Sequence, residues 1–134
     1  MNQETEITVR FCETDAAGHV NNTSYFIYLE EARGKFFEKI VPDRNATPGR
    51  FIIASTKCDF LAQAYFNQKL TVSTRISKIG TKSFSFDHMI KATDTGLLVA
   101  KAEAVIVCFN YEEQKTEPIP SNLRNVLEGH LVTN

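Results

Sequence analysis

From about Glu6 to Phe11 apolar and polar residues alternate, with Ile7, Val9 and Phe11 set against Glu6, Thr8 and Arg10. That is the period of a strand with one buried face. A polar, small-residue turn follows, Glu13-Thr14-Asp15-Ala16-Ala17-Gly18. From about Asn22 to Lys39 the period lengthens, and Tyr25, Leu29, Ala32 and Phe36 fall on one face of a predicted helix. Asn21 or Asn22 supplies the side chain that caps its first N–H groups, and Pro42 lies just beyond its end. A helix of that length spans about 27 Å, enough to cross a small sheet.

Beyond the loop from Pro42 to Arg50 the pattern returns to period two. It predicts strands over Phe51 to Ala62, Lys69 to Ile79, Lys82 to Ala92 and Leu98 to Tyr111. Breaks fall at Asn67-Gln68, Gly80 and Asp94-Thr95-Gly96, where turn-forming residues gather. Consecutive short turns imply an antiparallel meander. In the last strand Ala100, Ala102 and Ala104 share one face and Lys101 and Glu103 the other. A strip of small side chains lets the long helix approach closely. Residues 120–127 predict a short terminal helix. The expected class is α+β, one long helix lying across an antiparallel sheet of about five strands.

Composition narrows the picture without changing it. The 134 residues suit one domain, and 43% hydrophobic with 23% charged residues suits a packed core. A formal net charge of −1 gives no chain-wide basic field for nucleic acid or an anionic membrane, so neither partner is expected. The first ten residues, MNQETEITVR, hold no apolar stretch behind basic residues. No apolar run approaches the roughly 20 residues of a membrane helix, so a cytoplasmic protein is expected. Cys12, Cys58 and Cys108 make neither a disulfide framework nor a CxxC pair, and buried thiols are the expectation for all three. His88 and His130 lack metal-ligand spacing, so no metal is assigned.

The segment between the first strand and the helix carries the chemistry. Phe11 to Tyr25 contains the pattern D-x-x-G-H-V-N-N-x-x-Y, formed by Asp15, Gly18, His19, Val20, Asn21, Asn22 and Tyr25. It resembles the signature of the 4-hydroxybenzoyl-CoA thioesterase family. The likeness continues in Leu29-Glu30-Glu31-Ala32-Arg33, and more weakly in Asp59-Phe60-Leu61, Lys82-Ser83-Phe84 and Ile119-Pro120. The resemblance implies a hotdog fold, a long helix wrapped by an antiparallel sheet. It also implies thioester hydrolysis with Asp15 as the catalytic carboxylate and the backbone N–H of Asn22 as oxyanion donor. A carboxylate placed just before a helix start suits that role, because free N–H groups and the positive end of the helix dipole lie close by. At the ordinary aspartate pKa of about 3.9 a carboxylate is ionised at neutral pH yet a weak base. Two routes stay open, direct attack through a mixed anhydride or activation of water.

Other residues carry paired readings. His19 is a candidate base because histidine as a residue type exchanges protons near neutrality, but an orienting or packing role fits the resemblance better. Glu30 either lines the acyl pocket, as in the family, or belongs to a solvated face with Glu31, Arg33 and Lys35. Tyr25 is a core or pocket residue. Lys82 and Ser83, with Lys78 nearby, either hold the phosphates of coenzyme A or form an ordinary charged hairpin end. Coenzyme A would be part of the substrate, and no cofactor is implied. The resemblance further implies a homodimer or homotetramer with sites at subunit boundaries. The leading expectation is an acyl-CoA thioesterase. An acyl-carrier-protein thioesterase and a non-catalytic acyl-thioester-binding module are the alternatives, and hotdog hydratases are disfavoured because their D-x-N-x-x-H arrangement is absent.

Overall fold

The computed structural model describes residues 3–41 and 51–131, so the predicted loop from Pro42 to Arg50 lies outside the described residues. Strand β1 spans Gln3–Thr8, and a 3-10 turn covers Phe11–Glu13. The long helix α1 runs over Asn22–Ile40. Strands β2 (Phe51–Phe60), β3 (Lys69–Ile79), β4 (Ser83–Ala92) and β5 (Leu98–Asn110) follow, then the short β6 (Lys115–Thr116) and helix α2 (Ser121–His130). The result is the expected hotdog arrangement, with one further short strand.

Helix α1 forms where the period predicts. Asn21 is its N-cap, and its side chain accepts the Thr23 N–H at 3.1 Å. Its buried stripe is Ser24, Tyr25, Tyr28, Leu29, Ala32, Arg33 and Phe36. The apolar members face the sheet in two clusters. One gathers Tyr25, Tyr28, Leu29 and Ala32 with Ile7, Val20, Leu70, Val72 and Ile90. The other gathers Phe36 with Ile76, Phe84, Phe86 and Ile106, and α2 adds Leu123 and Leu127 to it.

Three expectations change. The first strand was predicted to reach Phe11, but β1 stops at Thr8 and Phe11 is 76% exposed. The chain turns there because the Glu13 side chain takes the Arg10 N–H at 2.8 Å, which closes a tight turn in place of further pairing. The second change is topological. The sheet order is β1-β3-β4-β5-β2, so only β3, β4 and β5 form a meander, and β2 pairs with β5. Residues 61–68 therefore carry the chain across the sheet from β2 to β3. Asn67 adopts left-handed backbone (φ 66°), which asparagine tolerates better than most residues. That bend lets Asn67 N–H reach Val9 O at 2.8 Å while Gln68 O accepts Val9 N–H at 2.9 Å.

The third change concerns the alanine strip. The backbone of α1 lies mainly along β3 and β1 rather than along β5. Ala100, Ala102 and Ala104 instead pair in register with Ile90, His88 and Phe86 of β4, so small residues on β5 sit beside large ones on β4. Ala104 shares its cluster with Phe36 and Phe86, whose rings lie 5.3 Å apart. Ala104→Leu would overfill this layer, and urea denaturation should register a loss of about 1–3 kcal/mol.

Candidate active site

The loop between β1 and α1 is a small closed unit. Thr14 pairs with Val20, and Asp15 N–H donates to His19 O at 2.8 Å. Gly18 N–H returns to Asp15 O at 3.0 Å, a bend that requires the positive φ of Gly18 (81°). Asp15 Oδ1 accepts the N–H groups of Ala17 (2.9 Å) and His19 (3.2 Å). The other carboxylate oxygen has no hydrogen-bond partner among the described residues, and the side chain is exposed. One oxygen is thus fixed by the turn and the other is open to a reactant.

The adjacent helix start offers a donor. Thr23 N–H is taken by the Asn21 side chain and Ser24 N–H by Asn21 O. Asn22 occupies the first helical position, where an N–H has no intrahelical acceptor. It takes no other partner among the described residues. The Asn22 side chain is exposed and does not cap; Asn21 does.

The loop rests against the crossing segment. Val20 N–H donates to Ala64 O at 2.8 Å, His19 forms a bridge with Tyr65, and the two rings meet edge-on at 5.2 Å. His19 is half-buried and is oriented through both its backbone and its ring. Tyr25 is buried beneath, 5.3 Å from the Phe60 ring. Burial, helped by the nearby Cys58, pushes its phenol up to about 12 against the opposing effect of the Ala64 N–H. Tyr25 is therefore a neutral core residue that ties α1 to the crossing segment.

Glu13 was not singled out from the sequence, where it looked like one more polar turn residue. It is 5% exposed. Its Oε1 accepts Arg10 N–H (2.8 Å) and Tyr28 Oη–H (2.9 Å), and its Oε2 accepts Arg10 Nε (2.9 Å) and Nη2 (2.7 Å). Burial pushes this carboxyl up, but the bonds from Arg10 and Tyr28 outweigh it, and the net effect holds it below the usual carboxyl range. Burial and the bond to Glu13 push the Tyr28 phenol well above its ordinary value. The Glu13 carbonyl also accepts Asn21 N–H and Ser24 Oγ–H, both at 2.9 Å.

A second polar group was equally hidden. Arg33 and His88, both buried, meet across the core with Arg33 Nη1 3.4 Å from His88 Nε2. His88 Nδ1 lies 3.1 Å from Thr74 Oγ1. A guanidinium only donates, so Nε2 is the acceptor and Nδ1 carries the proton toward Thr74. Burial, then the charge of Arg33, pushes His88 down to about 3 despite a backbone bond at Ser73. This polar layer separates the two apolar clusters along α1.

The remaining candidates do not converge on Asp15 within one chain. Glu30 lies on the exposed face of α1 near Arg33, and Glu31 pairs with Lys35 at 3.6 Å. Lys82 and Ser83 stand at the β3–β4 turn. The neighbouring Phe84 packs on Phe37 at 5.9 Å, beside the last turns of α1. Helix α1 is about 28 Å long, so this turn and Asp15 lie near its opposite ends. Of the cysteines, Cys108 is buried and Cys58 partly so, whereas Cys12 is exposed because the early end of β1 turns it outward. Among the described residues no three His, Cys, Asp or Glu side chains gather as a metal site would require, and no helix is long and apolar enough to cross a membrane.

The helix, its wrapping sheet and the carboxylate loop at the helix start define a class, and comparison with known proteins names it. The chain belongs to the Thioesterase-like superfamily, whose profile matches residues 9–127, and is by class a hotdog-fold thioester hydrolase. It is 28% identical over 127 residues to the long-chain acyl-CoA thioesterase FadM of Escherichia coli (strain K12), covering 93% of this chain and 96% of that one. An 84-residue stretch, 63% of this chain, is 33% identical to the YsmA protein of Bacillus subtilis (strain 168) and spans 57% of it. The solved structure of a predicted thioesterase from Bacillus stearothermophilus superposes with a TM-score of 0.89 at 32% identity, covering 100% of this chain and 99% of that one.

Proposed function

We propose that this protein hydrolyses acyl-CoA thioesters to a free carboxylic acid and coenzyme A. The observation that carries the reading is the Asp15 carboxylate, with Oδ1 held by two loop N–H groups and its other oxygen open, one short loop from the unpaired Asn22 N–H. In this reading the thioester oxygen lies on the Asn22 N–H as negative charge develops on it. The open Asp15 oxygen either adds to the carbonyl carbon or takes a proton from the water that adds. The C–S bond then breaks, and coenzyme A leaves as a thiolate that gains a proton. On the first route this leaves an Asp15 mixed anhydride, which water hydrolyses to release the acid and restore the carboxylate. His19 orients the loop, and Gly18 and Tyr25 shape its two sides. The motif from Asp15 to Tyr25 supports the finer assignment to the 4-hydroxybenzoyl-CoA branch, and the FadM likeness supports coenzyme A as the carrier.

A homo-oligomer belongs to the same proposal. Strand β2 is an edge strand, exposed along most of its ten residues, with Ile53 and Phe60 facing solvent. Such an edge favours pairing with a second copy. In that assembly Lys82 and Ser83, distant from Asp15 of their own chain, serve the coenzyme A of the neighbouring site, and Glu30 contacts the acyl group. The test offers short, long and aromatic acyl-CoAs and an acyl-carrier-protein thioester, with thiol release followed as the enzyme is diluted. Turnover of acyl-CoA that falls away on dilution to monomer is expected. Release only from the carrier-protein substrate would move the assignment to that carrier, and binding without release would make the protein a binding module.

A further inference from the structure

The loop bearing Asp15 is exposed; its tip is shaped by its own hydrogen bonds, and one side leans on the crossing segment through Val20 and His19. Its placement against the first turn of α1 is set at its two feet. Both feet meet at Glu13. The Glu13 carboxylate gathers Arg10, at the exit of β1, and Tyr28, on the second turn of α1, through four bonds of 2.7–2.9 Å. Its carbonyl holds the Asn21 N–H at the helix cap and the Ser24 hydroxyl in the first turn, both at 2.9 Å. Residues 14–20 are the only chain between these anchors. They include Asp15, and Thr14 pairs with Val20 directly above the anchor.

A buried carboxylate is costly unless donors surround it, and Glu13 has one for each available direction. Stability alone does not call for this arrangement, since the partner guanidinium of Arg10 is largely solvated, its side chain 71% exposed. The arrangement does impose a single register between the loop and the first helical turn, where the Asn22 N–H lies.

We propose that Glu13 is a positioning residue for Asp15, fixing both ends of the catalytic loop against the start of α1. The proposal rests on the thioesterase reading above. Glu13 touches no substrate; it sets where the open Asp15 oxygen stands relative to the Asn22 N–H. A displacement of about 1 Å at such a site costs on the order of 100-fold in rate.

The experiment compares wild type, Glu13→Gln and Tyr28→Phe by thiol release, by amide hydrogen exchange and by urea denaturation. Glu13→Gln is expected to lower kcat about 100-fold, and Tyr28→Phe about tenfold, with KM held within about a factor of two. The amides of Ala17 and His19, bonded to Asp15, are expected to exchange faster in both variants while those of β3, β4 and β5 keep their protection. Unchanged kcat with a lowered urea midpoint would overturn the proposal, leaving Glu13 as a stabilising contact only. Unchanged exchange at Ala17 and His19 would overturn it as well. Should Glu13→Gln fail to fold, Tyr28→Phe decides by the same two readouts. Should wild type release no thiol from any thioester, the functional reading fails by itself, and the exchange of Ala17 and His19 still decides whether Glu13 holds the loop.

Discussion

Asp15→Asn should reduce kcat by about 1,000-fold while leaving the fold intact. Asparagine keeps an Oδ1 that can accept the Ala17 and His19 N–H groups, so the turn survives. What changes is the open position, where a carboxylate oxygen becomes an amide nitrogen. That group can neither attack a carbonyl nor accept a proton from water, and positioned acid–base or nucleophilic groups contribute about 10²–10⁴-fold. Asp15→Ala removes the turn acceptor too and should lose at least as much activity, with some loss of loop order. Steady-state thiol release against the best substrate, with circular dichroism and a urea midpoint on each variant, checks both statements. Activity within a few-fold of wild type in Asp15→Ala would end the assignment of this carboxylate as the reacting group.

The second large effect concerns acid. His88 is 2% exposed and its imidazole is pushed down to about 3, against about 6.5 for an unfolded histidine. Below pH 6.5 the unfolded chain binds a proton that the folded protein refuses. The stability tied to neutral His88 is thus fully present above pH 6.5 and declines as pH falls toward 3. The slope approaches 1.4 kcal/mol per pH unit, so the whole window amounts to roughly 5 kcal/mol. The charged group that acts on His88 is Arg33, which approaches from α1, while its other side-chain partner, Thr74 on β3, does not titrate. His88→Gln retains an oxygen that can accept from Arg33 and does not titrate. Its unfolding free energy, measured by urea from pH 7 to pH 3.5, should fall less steeply than that of wild type. Parallel curves for the two proteins would refute the buried neutral state.

These two residues were unequally visible beforehand. Asp15 was legible because its motif is contiguous and its neighbours, from Gly18 to Asn22, determine the local turn and cap. His88 looked like an unremarkable strand residue, and Arg33 like part of a solvated charged face. They stand 55 positions apart, and only packing α1 onto β3 and β4 brings them together. Glu13 was missed for a related reason. Its polarity suggested a surface turn, and its burial depends on Arg10 and Tyr28 closing over it from two elements.

The same division runs through the fold. Helix α1, the strand bounds of β3 to β5, the breaks at Gly80 and Asp94-Thr95-Gly96 and the cap at Asn21 are short-range matters of side-chain period and backbone preference. Those are written in consecutive residues. Strand order is not, because the alternation in β2 fits pairing with β3 as well as with β5, and only the tertiary structure chose β5 and sent residues 61–68 across the sheet. That crossing supplies Ala64 and Tyr65 to support the loop that bears Asp15. The closed helix–sheet packing likewise separates Lys82 and Ser83 from Asp15 by nearly the length of α1. Local chemistry thus specified the segment that bears Asp15, and long-range pairing decided what surrounds it, since burial and proximity arise only when distant segments share one core.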